Sequence, residues 1–150
     1  MSTVLIQLAV SFAATIAFAI LFNVPREEYL YCGITGAAGW VCYMLVMYLQ
    51  PSPVIASLCA VLILAIMSRI FAIFRRCPIT VFLICGIFPL VPGAGIYYTA
   101  YYFIMGQNDL FAAKGAETLK IAVAIALGIV LILSLPGGLF KHFAPKKENK

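Results

Sequence analysis

Pro89-Leu90-Val91-Pro92-Gly93-Ala94-Gly95 interrupts an apolar run that covers residues 79–105. Two prolines and two glycines in so short a stretch break a helix, because proline lacks the amide hydrogen and its ring clashes with the preceding turn. At about 27 residues the run is too long for one straight crossing of a bilayer and too short for two. Two half-helices joined at the Pro-Gly stretch fit this length. Hydrocarbon supplies no water to freed backbone groups, so such a break is tolerated only where other protein or a hydrated cavity takes over the hydrogen bonds. Many transporters build solute sites from discontinuous helices, whose ends present partial charges to the solute.

Outward from this stretch lie four more apolar runs. Residues 3–22 are closed by Asn23-Val24-Pro25-Arg26-Glu27-Glu28, residues 29–49 by Gln50-Pro51-Ser52-Pro53, and residues 54–74 by Arg75-Arg76-Cys77-Pro78. Residues 121–140 form the last run, broken near its end by Pro136-Gly137-Gly138. The chain is 65% hydrophobic and 10% charged, where soluble domains carry roughly 25% charged residues. The expected fold class is an all-α integral membrane protein with five transmembrane helices, the fourth broken at the Pro-Gly motif. Residues 1–140 form the membrane domain and residues 141–150 a basic cytoplasmic tail. The polar segment 106–120, with Asp109, Lys114, Glu117 and Lys120, reads as a loop carrying a short amphipathic turn. No Lys or Arg precedes the first run and no small-residue cleavage site follows it, so it is expected to stay as the first span rather than act as a signal peptide.

The basic residues sort by side. With five crossings, Arg26, Arg69, Arg75, Arg76, Lys141, Lys146, Lys147 and Lys150 fall on one face and only Lys114 and Lys120 on the other. Short loops rich in Lys and Arg stay in the cytoplasm. The expectation is a multi-pass protein of the cell (inner, cytoplasmic) membrane, amino terminus outside and carboxyl tail in the cytoplasm. The net charge of +5 then reflects orientation in the bilayer, and no nucleic acid is expected as a partner.

Catalytic signatures are missing. The chain has no H-E-x-x-H, G-x-S-x-G, P-loop or Gly-rich dinucleotide turn, its single histidine is His142 in the tail, and every Asp and Glu falls in a loop or the tail. No enzyme activity, catalytic residue or cofactor is expected. Cys32, Cys42, Cys59, Cys77 and Cys85 contain no C-x-x-C pair and read as small packing residues rather than metal ligands, so no metal is expected. Proton-driven pumps place a titratable group within the spans, and this chain offers no carboxylate there.

Arg69 is the one charge placed inside a run. Snorkelling to the cytoplasmic headgroups and binding of an anionic solute are both open to it. In the first run Gln7, Ser11 and Thr15 form a polar stripe, and Ala9, Ala13 and Ala17 a ladder of small residues that permits close helix contact. Gly33, Gly36 and Gly39 in the second run, and Ala124 and Gly128 in the last, read the same way. Tyr97, Tyr98, Tyr101 and Tyr102 cluster after the break, with Thr99 among them, where the amino end of a half-helix suits a carboxylate.

Phe22-Asn23-Val24-Pro25 closing the first run, a glycine-rich second run with Cys32 near its start, and Ile87-Phe88-Pro89-Leu90-Val91-Pro92-Gly93 followed by Tyr98-Thr99-Ala100 resemble the threonine/serine exporter (ThrE) family. Nearly the whole chain takes part, and it is most similar to the small five-span subunit of the family's split form. The resemblance implies export of small carboxylate-bearing metabolites, threonine and serine or a succinate-like dicarboxylate, together with a larger membrane subunit equivalent to the family's first half. Partners are then that subunit, the solute, the lipid bilayer and, as a further arrangement, other copies of the chain. The pathway residues expected on this reading are Pro89, Pro92, Gly93 and Gly95 at the break, Tyr98 and Thr99 beside it, Asn23 and Pro25 at the cytoplasmic mouth, and Arg69. The rival is a membrane scaffold or assembly subunit in which the break serves packing alone.

Overall fold

The computed structural model describes residues 2–136, and every regular element among them is helical. The helices are α1 (Ser2–Leu21), α2 (Tyr29–Leu49), α3 (Pro53–Arg75), α4 (Thr80–Ile87), α5 (Gly93–Ile104) and α6 (Asn108–Ser134), with short 3-10 turns at Arg26–Glu28 and Phe88–Leu90. Four of them are long and apolar enough to cross a membrane, and the pair on either side of the break makes a fifth span with a 50° bend. The chain is an all-α, multi-pass membrane protein.

The first four runs end within one residue of the expected limits, because turn chemistry sets them. Asn23 adopts the left-handed conformation (φ 59°), and the Val24 amide donates to the Ala19 carbonyl at 3.0 Å, the six-to-one bond that closes a helix end. Pro53 sits in the first turn of α3, where its missing amide costs nothing.

The segment 106–120 departs from expectation. Gly106 (φ +69°) makes the turn, and α6 then runs unbroken from Asn108 to Ser134. Polarity suggested a loop, but Ala112, Ala113, Lys114, Ala116, Leu119 and Lys120 are strong helix formers, and Lys114 pairs with Glu117 one turn on, at 2.7 Å. At 27 residues the helix reaches about 40 Å, beyond the roughly 30 Å of a hydrocarbon core. Gly137, Gly138, the end of the last run and the basic tail lie outside the described residues.

α3 is the central strut, packed against α2, α4 and α6. Ala60, Val61, Leu64 and Ala65 from it join Leu83, Leu90, Ile125 and Ile132 in the larger core. Leu64 occupies the space left by two glycines: a Cβ at position 39 or 86 would lie 3.2 or 3.1 Å from its Cδ1. A second core of Ala19, Cys32, Phe82 and Cys85 joins α1, α2 and α4. The cysteines among the described residues are free, and no group of three or more His, Cys, Asp or Glu side chains there is placed to hold a metal.

α1 meets α2 through a different face from the one its alanines suggested. Ser11, Thr15 and Ala19 are buried, while Ala9, Ala13 and Ala17 are exposed. The Ser11 hydroxyl donates to the Gly36 carbonyl at 3.3 Å and that of Thr15 to the Ser11 carbonyl at 2.8 Å. With their hydroxyls satisfied by backbone, these residues pack as small groups, and the alanine ladder is left facing outward.

Register shows how the chain crosses. Gly128 of α6 lies against Leu58 and Val61 of α3, while Ile132 and Leu135 meet Arg69. Later residues of one helix face later residues of the other, so α3 and α6 run parallel. The chain changes sides once between Arg75 and Asn108, and the bent pair α4–α5 is what carries it across.

Candidate solute site at the broken helix

The break is made by two prolines acting in sequence. α4 tightens into the 3-10 turn Phe88–Leu90, which Pro89 enters at its start and the Val91 amide closes on the Phe88 carbonyl at 3.2 Å. Val91 is extended (ψ 130°), and Pro92 caps α5 with φ −77° and ψ 59°. The Gly93 amide turns back to the Val91 carbonyl at 2.7 Å, and the first helical bond of α5 runs from the Ile96 amide to the Pro92 carbonyl. The Ala94 and Gly95 amides therefore remain as donors without a backbone partner at the helix start, as in any uncapped amino terminus.

The two glycines have different surroundings. A Cβ at Gly93 would meet nothing within 4 Å, whereas one at Gly95 would lie 2.4 Å from the Thr118 Oγ1. Gly93 leaves the helix end open to approach, and Gly95 is the contact point of α5 with α6. Thr99 continues this contact: its hydroxyl donates to the Gly95 carbonyl at 2.7 Å, and its methyl group faces Gly115. Tyr98 is 46% exposed and stacks on Tyr102 at 6.2 Å.

Cavities flank both prolines. Pro89 closes one of about 200 Å³ shared with Gln7, Val10, Ser11 and Trp40. Pro92 borders another of about 730 Å³ between α5 and α6, lined mainly by apolar groups with Thr99 and Thr118 among them. The break is thus lined by protein and open space on both sides. α5 packs chiefly on α6, and none of its residues is buried.

The remaining expected residues lie elsewhere. Asn23 and Pro25 form a groove of about 400 Å³ with Thr80, Val81, Ile84 and Cys85 at the start of α4. Phe18, Phe22 and Phe88 stack between that groove and Pro89, with ring centroids 4.4 to 6.3 Å apart. Arg69 lines neither of these cavities. Its guanidinium donates to the carbonyls of Ile132 and Leu135, the latter at 2.6 Å, and so closes the carboxyl end of α6.

Trp40 was not singled out from the sequence, although it walls the Pro89 cavity and stacks on Tyr43 at 5.3 Å. A lone Trp within an apolar span was the available signal. Lys114 and Glu117 were noted only as loop charges.

No solved structure matches the chain. The family profile described as "Threonine/Serine exporter, ThrE" matches residues 7–135, which takes in all five spans, the broken one included. The chain belongs to the threonine/serine exporter family, whose members are transporters and not enzymes.

Proposed function

We propose that this chain is one subunit of a secondary exporter for small carboxylate-bearing metabolites, working with a larger membrane protein that supplies the equivalent of the family's first half. The observation that carries this is the uncapped start of α5, with free Ala94 and Gly95 amides beside an open Gly93. Amide donors and the positive helix end attract a carboxylate. The solute enters from the cytoplasm through the groove at Asn23 and Pro25 and sits at Pro89–Pro92. Pro92 and Gly93 keep the helix end open, Gly95 and Thr99 hold α5 on α6, and Tyr98 faces the partner.

The exposure of α5 supports a partner, since a half-helix with no buried residue leaves its surface to another subunit or to lipid. Arg26, Arg75 and Arg76 gather at the end of the bundle where α2 begins and α3 ends, and Lys114 lies toward the opposite end. Under the bias of cytoplasmic loops toward Lys and Arg, this distribution supports an amino terminus outside the cell membrane.

Efflux of labelled threonine and of labelled succinate is to be measured from cells carrying this chain, its partner, or both. Export above background is expected only with both. A Pro92→Ala/Gly93→Leu double variant, which straightens the helix and blocks its start, lowers export at least about tenfold at unchanged membrane level. Wild-type rates from that variant would leave the scaffold role as the account of the break.

A further inference from the structure

Two cavities lie in line along the seam between α1 and α4. The groove at Asn23 and Pro25 takes Phe22 from the end of α1 and Ile84 and Cys85 from α4, and the smaller cavity at Pro89 takes Val10 and Ala14 from α1. Phe18 falls between Ala14 and Phe22, one helical turn from each, and Phe88 falls between Cys85 and Pro89. On both walls, therefore, a ring stands between the residues of one cavity and those of the next. The rings meet across the seam: the Phe88 centroid is 4.4 Å from that of Phe18 and 5.2 Å from that of Phe22. Rings at these separations are in contact, so they divide the groove from the cavity.

The fold does not rest on this trio. None of the three rings is part of either core, and Phe22 and Phe88 are 42% and 37% exposed. The two walls also differ in stiffness. The Phe22 amide donates to the Phe18 carbonyl at 2.9 Å, so both residues are held by the last turn of α1. Phe88 instead opens the 3-10 turn that leads into the break, and a change in the bend between α4 and α5 acts on the segment that carries its ring. Aromatic pair contacts are individually weak, and parting Phe88 from α1 breaks only two of them.

Resting on the exporter reading above, we infer that Phe18, Phe22 and Phe88 form the size-determining constriction of the solute path. A solute in the groove reaches the Pro89 cavity only when the Phe88 ring parts from the other two. The rings offer no conventional hydrogen bond, so they sort solutes by bulk and not by charge. The cavity behind them agrees with a narrow passage, since its volume of about 200 Å³ is below the roughly 300–1,000 Å³ of pockets that take drug-sized ligands. A slender short-chain acid passes, and the same acid carrying a phenyl group is held back.

The test uses inside-out vesicles carrying the full chain and its partner, whose bath faces the cytoplasmic side of the membrane. Downhill uptake is measured for labelled threonine and succinate and for their bulkier counterparts phenylserine and phenylsuccinate, at matched amounts of chain in the membrane. Wild-type vesicles are expected to favour the small member of the transported pair at least about tenfold, and Phe88→Ala to reduce that preference to about twofold by speeding the bulky one. Phe88→Tyr keeps a ring and keeps the preference. In parallel a thiol is placed behind the rings by Ala14→Cys, and a membrane-impermeant maleimide in the bath labels it several times faster once Phe88→Ala is added; the chain without Ala14→Cys gives the background. An unchanged preference in Phe88→Ala overturns the proposal. So does loss of the partner from the purified complex of that variant, which would make the rings a subunit contact. Should Phe88→Ala fail to reach the membrane, Phe22→Ala removes a ring from the other wall and must give the same shift. Wild-type vesicles that take up none of these solutes refute the exporter reading instead. Labelling of Ala14→Cys then decides the constriction alone, and equal rates with and without the Phe88 ring overturn it.

Discussion

Thr15 and Gly36 touch so closely that a Cβ added at position 36 would fall 1.9 Å from the threonine Oγ1. No rotamer of a flexible side chain relieves this contact, since the Thr15 Cβ itself would lie at 2.8 Å. Gly36→Ala therefore has to push α1 away from α2, at about 1–3 kcal/mol. A Thr15→Gly companion restores part of the loss. Thermal unfolding of the purified chain in detergent measures both, and an unshifted midpoint for Gly36→Ala would show that the α1–α2 contact is looser than described.

Two neighbouring glutamates make unequal use of one arginine. Arg75 reaches the buried Glu28 carboxylate at 2.8 Å and the exposed Glu27 at 3.4 Å, while its guanidinium lies 5.1 Å from the centre of the Tyr31 ring. Glu28→Ala leaves a guanidinium without its inner partner at the junction of α2 and α3, and the unfolding midpoint drops. Glu27→Ala removes a solvated contact of little net value and changes the midpoint by no more than scatter. Equal effects from the two would contradict the geometry.

Arg69 closes the carboxyl end of α6. Its planar fork serves two carbonyls at once, a geometry that a lysine ammonium does not reproduce. Arg69→Lys and Arg69→Gln both free the last turn of α6, at about 1–2 kcal/mol, read as faster amide exchange of the residues around Ile132. Solute selectivity stays unchanged in both. A change of selectivity without faster exchange would return Arg69 to the pathway.

Cys77 lies between α3 and α4, and burial pushes its thiol above the ordinary range, with the Glu28 carboxylate adding to the effect. The thiolate is the reactive form, so a raised value means less of it at neutral pH. Modification by a membrane-impermeant maleimide is expected to be slower than for free cysteine at pH 7 and to accelerate as the pH rises to 9. The Cys77→Ser variant gives the background. Labelling from the cytoplasmic face supports the proposed orientation, and labelling from outside only contradicts it.

The ends of the spans were legible because each is written in local chemistry: Asn23 at a left-handed helix cap, Pro51 and Pro53 at a turn, Pro89 and Pro92 at the break. Glycine positions were legible as contact points, since Gly36, Gly39 and Gly128 each admit a neighbour that any side chain would exclude. The choice between two four-residue stripes on α1 was not, because spacing does not tell which face meets α2. That was decided by carbonyls of other residues, which accept the hydroxyls of Ser11 and Thr15. Polarity was a poor guide at 106–120, where helix-forming charges read as a loop. The break itself was legible in Pro89 and Pro92. The part played by Trp40 was not, for it depends on α2 passing beside the turn at Pro89, a relation between distant parts of the chain that no local pattern records.

The 50° elbow at Val91 and Pro92 divides the chain into parts of unequal cohesion. Helices α1 to α4 and the inner half of α6 hold one another through shared cores, while α5 leans chiefly on a single neighbour and buries no residue fully. Substitutions along Gly93–Ile104, apart from the contact residues Gly95 and Thr99, therefore weigh little on whether this polypeptide folds. Their cost falls on what lies against that surface, so harmful changes there should separate cleanly from those that merely empty the membrane of protein.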